Sequence, residues 1–515
     1  MLSISVATVF SRATGYLRWS AQAAALGAGT VVAEAYSVAI LLPGLIYELF
    51  VGGILYSIFI PVLVDRMTSH GEDDARRLTN ALFTLVLPLM GLLALVGILF
   101  AGPLVDLVAD WDSSEGLSAG QVRQAEDYGV FFFRIFALQM LFYGVSTIAT
   151  GVLQAHRRFF LPTFAPVLNN LIVICSFAAY LFLQRDDQGL ALYVLAFGVT
   201  VGVAVMALAL VPTLLALGYR PRPQVGHPAL LPTARLAGPM VVLVAASVGF
   251  QLLAAHLASR YGAYAELNYA FTIFSLPYGL FVVAIATALM PELSEKHSRE
   301  DAEGYRDTFS FGLRTMLFVV VPSTVGLITL AEPIVGLLYQ RGEFGASDTR
   351  SVAVLLVAYA VGLLGYSAYF FLVRAFYSRQ NTKTPAILNV GILVAYAALA
   401  YVLSYLLQAV GVVLALSIAY AVLAALALAA TRREIGRIDS RRILVSSAKF
   451  LTAGAAMYAV AAAGTSLLGN GSDFTGRLLV LLAVGGASLA AYLGAAFVLR
   501  TEELKSVAGL LRRRA

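Results

Sequence analysis

The chain has 515 residues, of which 60% are hydrophobic and 12% are charged, and its formal net charge is +6. Soluble domains carry roughly 25% charged residues, so this composition excludes a chain built of soluble domains. The single cysteine, Cys175, excludes a disulfide framework and a cysteine metal site, and its place in an apolar run predicts a buried side chain.

Apolar runs of about 20 residues recur from one end of the chain to the other, which indicates transmembrane helices. Gly and Pro interrupt several of these runs, as membrane helices tolerate when their neighbours satisfy the backbone. We therefore predict an all-α integral membrane protein with about 14 spans. The predicted spans are 4–27, 32–62, 78–101, 124–153, 163–184, 189–217, 230–258, 264–294, 308–330, 350–377, 384–407, 410–431, 443–468 and 474–499.

The first predicted span carries two arginines, Arg12 and Arg18. A charge near mid-membrane costs about 2.5–3.5 kcal/mol on insertion scales, so both side chains must face protein or a watery cavity. Because guanidinium binds phosphate bidentately and keeps its charge, the pair predicts an anion site. The alternative is a structural ion pair with Glu34 or Glu48 of the second span.

Other polar residues within the predicted spans are weaker candidates. Asn170 is of the kind that makes interhelical hydrogen bonds, and Arg374 lies near the inner end of span 10, where it could mark the membrane interface. Walker A, Rossmann and HExxH motifs are absent, and the five histidines have no metal-ligand spacing. The sequence thus predicts no enzyme, no metal site and no cofactor, and it leaves the coupling ion open.

The charges of the loops predict an orientation. Loops that follow even-numbered spans are basic, whereas those that follow odd-numbered spans carry few Lys or Arg. Under the positive-inside rule this asymmetry places both termini in the cytoplasm. The net positive charge is therefore a feature of membrane topology, and we predict no nucleic-acid partner.

The chain also resembles itself at an offset of 230 residues, at which Pro61 pairs with Pro291 and Arg76 with Arg306. An offset of six spans preserves orientation, so the repeat predicts two six-helix lobes related by an axis along the membrane normal, with a cavity between them. The predicted parts are an N-terminal lobe at 1–217, a C-terminal lobe at 218–431, and spans 13 and 14 with a basic cytoplasmic tail at 432–515.

Five stretches resemble the MurJ/MviN family of bacterial lipid II flippases, which belongs to the multidrug/oligosaccharidyl-lipid/polysaccharide exporter superfamily. They are SRATGYLR (11–18), AEAYSVAILLPGL (33–45), FIPVL (59–63), LLYQRGEFGASD (337–348) and RAFYSRQNTKTP (374–385). The resemblance covers essentially the whole chain. It implies a plasma-membrane protein that moves lipid-linked peptidoglycan precursor from the inner to the outer leaflet by alternating access. It also implies that Arg12 and Arg18 engage the pyrophosphate and that Glu34 takes part in gating or ion pairing.

The chain departs from the family pattern at two places. Where the family often has basic residues in span 2, this chain has Tyr47 and Glu48, and Thr272 replaces an arginine common in span 8. Tyr47, Glu48, Asn170 and Arg374 are therefore secondary candidates for substrate contacts. The departures leave open a transporter of another polyprenyl-linked saccharide or of a drug. An integral-membrane glycosyltransferase is a further alternative, and membrane lipids and the wall-synthesis machinery are candidate partners.

Overall fold

The fold is helical throughout. A computed structural model of the protein describes residues 2–49, 59–112, 116–436 and 439–504, without the side chains of 2–5 and 233–243. Within these ranges there is no strand, which confirms the predicted all-α fold class. The part of predicted span 2 at 50–58 and the basic tail from 505 onwards lie outside the described residues.

Nineteen α-helices and one π-helix are assigned in the described residues. They are α1 Leu2–Leu26, α2 Val31–Glu48, α3 Ile60–His70, α4 Glu72–Leu99, α5 Ala101–Val108, α6 Ala119–Phe136, α7 Gln139–Ala155, α8 Phe160–Leu183, α9 Gln188–Leu208, α10 Val211–Ala216, α11 Leu230–Ser259, α12 Tyr264–Pro277, the π-helix Tyr278–Val282, α13 Val283–Ser298, α14 Ala302–Thr329, α15 Ala331–Tyr339, α16 Ala346–Ser378, α17 Lys383–Ile435, α18 Ser440–Leu468 and α19 Phe474–Val498.

Eleven helical segments of the described chain are long and apolar enough to cross a membrane. One of them, α17, is broken at Gln408, whose φ of 52° and ψ of −136° are not helical. This break lies at the boundary predicted between spans 11 and 12. The membrane-protein class is confirmed, whereas the count of about 14 spans stays a prediction.

The prediction that Cys175 is buried is wrong, because its side chain is exposed. An apolar run in a membrane protein does not distinguish lipid-facing from core-facing positions, since lipid tails are as apolar as a leucine-rich core.

The chain divides into two compact units. Unit 1 extends to Ala265 and also includes Arg341–Phe344, and unit 2 consists of Glu266–Gln340 and the chain from Gly345 onwards. The lobe boundaries predicted at residues 217 and 431 stay a prediction.

Glycines set the close approach of helices within unit 1. Gly198 and Gly202 lie four residues apart on α9, and a Cβ at either would collide with α8, at Ser176 and at Asn169. Small residues at this spacing let membrane helices pack backbone to backbone. In the same unit α1 packs on α8, where the buried Asn170 amide donates to Thr14 Oγ1 at 3.1 Å.

The internal repeat is confirmed by the positions of the helices. α4 begins at Glu72 and ends at Leu99, and α14 begins and ends 230 residues later, at Ala302 and Thr329. The short helices that follow, α5 and α15, begin at the same offset. The shared loop charges and prolines therefore reflect a shared local structure.

The last two helices pack within unit 2. Tyr492 of α19 donates its hydroxyl to the main-chain carbonyl of Phe318 in α14 at 2.8 Å. Arg314 of α14 forms a buried ion pair with Glu503, which follows α19. Spans 13 and 14 are thus fixed to unit 2 by polar contacts as well as by apolar packing.

Candidate functional site

Helix α1 carries both of the arginines predicted for the site. It ends at Leu26, and Gly27 follows with a φ of 70°, a conformation that favours glycine. Thr30 then caps α2 by accepting from the N–H of Ala33 at 3.1 Å. These local signals separate α1 from α2 and keep Arg12 and Arg18 within one continuous helix.

Neither arginine is neutralised by a carboxylate of the described residues. Arg12 is exposed and Arg18 is partly buried, and the buried Nε of Arg18 has no hydrogen-bond partner among the described residues. No described carboxylate lies within 4.0 Å of either guanidinium. The structural ion pair with Glu34 or Glu48, which the sequence left open, is therefore not formed in this structure.

Arg18 lies among aromatic side chains. Its guanidinium carbon is 5.8 Å from the centroid of the Trp19 ring. Its charge also acts on the hydroxyl groups of Tyr36 in α2 and Tyr143 in α7. Aromatic faces attract a guanidinium and leave its N–H groups available for an anion. The surroundings of Arg18 thus hold a cation without neutralising it.

Tyr143 is oriented by a chain of hydrogen bonds. Its hydroxyl donates to Gln139 Oε1 at 3.3 Å, and the Gln139 amide donates to Thr200 Oγ1 at 3.3 Å. The ring of Tyr143 packs against Tyr47, with centroids 4.5 Å apart. The predicted site residue Tyr47 therefore lies beside Tyr143.

Glu34 is 1% exposed, and its Oε2 accepts from the main-chain N–H of Ala265 at 2.9 Å. Ala265 lies in the first turn of α12, where orphan N–H groups and the helix dipole favour a carboxylate. The contact gives Glu34 a positioning role. Its predicted part in gating stays a prediction.

The other candidates in unit 1 have protein partners. Glu48 is exposed and accepts from the Gln251 amide at 3.2 Å. Asn170, 7% exposed, holds α8 to α1 through Thr14, one helical turn from Arg18. Both observations agree with structural roles, although Glu48 remains open to an approaching ligand.

Arg374 lies in unit 2, separate in the fold from the other six candidates. It is partly buried on α16, and its guanidinium carbon is 5.1 Å from the centroid of Phe370. Thr272, where the family pattern has an arginine, donates its hydroxyl to the Asn268 carbonyl at 2.9 Å.

Sequence reasoning missed several residues that contact the candidates, of which Tyr143 and Gln139, beside Tyr47, and Gln251, beside Glu48, are the clearest. A polar side chain within an apolar run was the available signal, because such residues mark internal hydrogen bonds or functional sites. The partners that give them a role lie far away in the chain, as Gln251 does from Glu48.

Other arginines of the helical bundle do have protein partners, which makes the contrast with Arg12 and Arg18 informative. These pairs are Arg260 with Asp110, Arg314 with Glu503, Arg379 with Glu434, and Arg477 with the carbonyls of Gly336 and Ser472. Charged residues in membrane segments pair with one another or with carbonyls, or else they face a water-filled path.

The fold and the site define an integral membrane protein whose helix α1 carries two arginines with no carboxylate counter-ion among the described residues. The chain matches the model of the family Lipid II flippase MurJ over residues 22–483, and it belongs to that family. The resemblance recognised in the sequence is thereby confirmed. The family is one of transporters.

Similar proteins cover most of the chain. It is 30% identical over 426 residues to the lipid II flippase MurJ of Burkholderia cenocepacia, covering 81% of this chain and 80% of that protein. It is also 30% identical over 494 residues to a probable lipid II flippase MurJ of Bdellovibrio bacteriovorus, covering 94% and 92%.

Two solved structures show the same fold. A lipid II flippase MurJ in an inward closed conformation matches with a TM-score of 0.79 at 22% identity, over 97% of this chain and 99% of that one. An inward-facing multidrug resistance transporter of the MATE family matches with a TM-score of 0.66 at 14% identity, over 82% and 95%. At these identities the likeness concerns the fold alone.

Proposed function

We propose that this protein is a lipid II flippase of the bacterial cell membrane. It moves the lipid-linked peptidoglycan precursor from the inner to the outer leaflet by alternating access, with both termini in the cytoplasm. Membership of the family supports the substrate, and the basic loops support the orientation. The observation that carries the proposal is the pair of membrane arginines, Arg12 and Arg18, that no described carboxylate neutralises.

The pyrophosphate of the substrate is the group that these arginines contact. A guanidinium stays protonated and forms two parallel hydrogen bonds to a phosphate, so it recognises the anion even where little water remains. The hydrogen bond from Asn170 to Thr14 fixes the part of α1 between the arginines. The ring of Tyr47 packs against Tyr143, whose hydroxyl is held by Gln139, so both aromatic side chains are fixed in position.

Substrate binding changes the charge balance of this site. Without the lipid the two cations must be hydrated, and with it they are neutralised by phosphate. A ligand shifts a conformational equilibrium only by its differential affinity for the two states. The proposed coupling is that the pyrophosphate stabilises the conformation in which Arg12 and Arg18 reach it together.

A second candidate is a transporter of another polyprenyl-pyrophosphate saccharide. Its support is the absence of the family's additional cations, since Tyr47 and Glu48 stand in span 2 and Thr272 in span 8. Glu48 would repel a phosphate and would accept hydrogen bonds from sugar hydroxyls or from an amine. Both candidates share the anion contact at Arg12 and Arg18 and differ in the saccharide.

Complementation of a flippase-depleted bacterium tests the proposal, with lipid II exposure at the outer face as the readout. The wild-type chain is expected to restore exposure, and Arg12→Ala and Arg18→Ala to abolish it at equal membrane abundance. Arg299→Ala is the control, because Arg299 is 74% exposed and pairs with Glu295 one turn away on the same helix. Rescue by the Arg12→Ala/Arg18→Ala double variant would contradict the anion site. Failure of the wild type would favour the other saccharides.

A further inference from the structure

Arg374 of α16 lies in unit 2. We propose that Arg374 is a second anion-binding residue, which contacts the pyrophosphate of the transported glycolipid in unit 2. This inference rests on the proposed function and names a further residue that recognises the substrate.

Two arginines near the C-terminal end of α16 differ in their ion-pair partners. Arg379 follows Arg374 by five residues, its side chain is 5% exposed, and it pairs with Glu434 at 3.2 Å. Arg374 is partly buried, and across the described ranges no carboxylate lies within 4.0 Å of it. One cation is thus neutralised by the fold, and the other keeps its charge available.

Aromatic side chains surround the guanidinium of Arg374. Its guanidinium carbon lies 5.1 Å from the centroid of Phe370, and the Phe370 ring packs edge to face with Tyr278, with centroids 4.9 Å apart. A cation–π contact orients a guanidinium without consuming its five N–H donors.

Tyr278 is the first residue of the π-helix Tyr278–Val282. A π-helical turn inserts an additional residue into an α-helix and is found frequently at functional sites. The ring of Tyr278, at this turn, packs against Phe370 and Tyr366. The side chains around Phe370 therefore supply a cation and phenol donors, which together match the oxygens of a phosphate.

The depth of Arg374 favours a lipid-borne phosphate. It lies four residues before Ser378, the last residue of α16, which is about 6 Å along the helix axis. This is near the end of the span, at the level where a lipid anchored by its tail presents its phosphates. Two lipids carry such a group, an anionic phospholipid and the polyprenyl-pyrophosphate saccharide. The guanidinium of Arg374, which can form two parallel hydrogen bonds, and the neighbouring phenols fit the more highly charged pyrophosphate better than a single phosphate. The polyprenyl-pyrophosphate saccharide is therefore the ligand assigned to Arg374.

Native mass spectrometry of the full chain in detergent tests the inference with two probes. These are a polyprenyl-pyrophosphate disaccharide-pentapeptide and phosphatidylglycerol. Arg374→Gln is expected to weaken binding of the glycolipid by about tenfold or more, because a charge-assisted hydrogen bond is lost. Arg374→Lys should weaken binding by a smaller factor than Arg374→Gln, since lysine keeps the positive charge but cannot form two parallel hydrogen bonds. Tyr278→Phe should weaken binding by roughly threefold by removing one neutral donor.

Arg299→Gln is the control for the loss of one positive charge, and it should leave the affinity unchanged. If Arg374→Gln does not fold, Arg374→Lys and Tyr278→Phe provide the same comparison. Unchanged glycolipid affinity in these variants overturns the inference, as does an equal loss of phosphatidylglycerol binding. A wild-type chain that fails to bind the glycolipid would instead count against the proposed function itself.

Discussion

Arg306 donates its Nε hydrogen to the main-chain carbonyl of Ile435 at 2.8 Å, next to Gly436. The repeat partner of Arg306 is Arg76, and its guanidinium lies beside Gly218 in the other unit. In both units a Cβ at the glycine would come within 3.0 Å of the arginine Nη2. The last helix of each six-span repeat, α10 in one and α17 in the other, is thus followed by a glycine of positive φ that lies against an arginine.

Gly436→Ala is expected to destabilise the protein by about 1–3 kcal/mol. Gly436 has a φ of 78° and a ψ of −151°, a region that only glycine enters readily. The measurement is the unfolding temperature of the purified protein in detergent. Gly494→Ala is the matched control, because nothing lies near a Cβ at that helical position. Equal unfolding temperatures for the two variants would contradict the prediction.

Glu503→Gln is expected to lower the free energy of unfolding by about 3 kcal/mol, the lower end of the cost of breaking a buried ion pair. Arg314 is 4% exposed and Glu503 is 1% exposed, so the arginine would keep a buried charge. Glu502 lies 3.2 Å from the same guanidinium and compensates in part. Glu502→Gln, with a side chain that is 62% exposed, should cost less. The reverse order in thermal unfolding would be inconsistent with this assignment.

The contribution of Glu502 to stability should depend on pH. The hydrogen bond from Arg442, at 2.6 Å, holds the pKa of the Glu502 carboxyl below its ordinary value, and partial burial opposes this effect. A lowered folded-state pKa stabilises the protein above the unfolded pKa, and the contribution is lost as the pH falls through the folded value. Wild type should unfold at a higher temperature than Glu502→Gln near pH 7, and the difference should vanish by about pH 3. A constant difference across this range would refute the ion pair as its cause.

Gly342→Ala should disrupt the turn Arg341–Phe344. Gly342 has a φ of 60°, and a Cβ there would press into the main-chain carbonyl of Ala24, which accepts from the Glu343 N–H at 2.9 Å. We expect a loss of about 1–3 kcal/mol from the left-handed backbone and loss of this hydrogen bond. Gly345→Ala is the control in the same loop, because its φ is −87° and its nearest neighbour is 3.7 Å away. Hydrogen exchange at the Glu343 amide provides the measurement, and equal protection in both variants would argue against the contact.

Local signals in the sequence predicted the fold to a large extent. The break between spans 11 and 12 was predicted at the position where the helix breaks, at Gln408. The helices of the repeat begin at the offset of 230 residues at which Pro61 pairs with Pro291 and Arg76 with Arg306. These features depend on neighbouring residues and on hydrophobic periodicity, which a single sequence contains.

The candidate site was predictable only in part. The cost of membrane charge singled out Arg12 and Arg18, and the structure leaves both without a described carboxylate. The aromatic residues near Arg18 were not predictable from the sequence, because Tyr143 belongs to another helix. The contact of Glu34 with Ala265 was not predictable either, because 231 residues separate them in the chain. Such pairings depend on how the helices pack. The exposed position of Cys175 depends on the same packing.

The turn Arg341–Phe344 folds with unit 1, although the residues on both sides of it belong to unit 2. Severing the chain after Ala265 would therefore not produce two self-sufficient pieces. The first fragment would lack the four residues that cover Ala24, and the second would expose Phe344, which is 1% exposed in the intact chain. The four residues of this turn therefore make the folding of unit 1 depend on a segment that lies 76 residues further along the chain than Ala265.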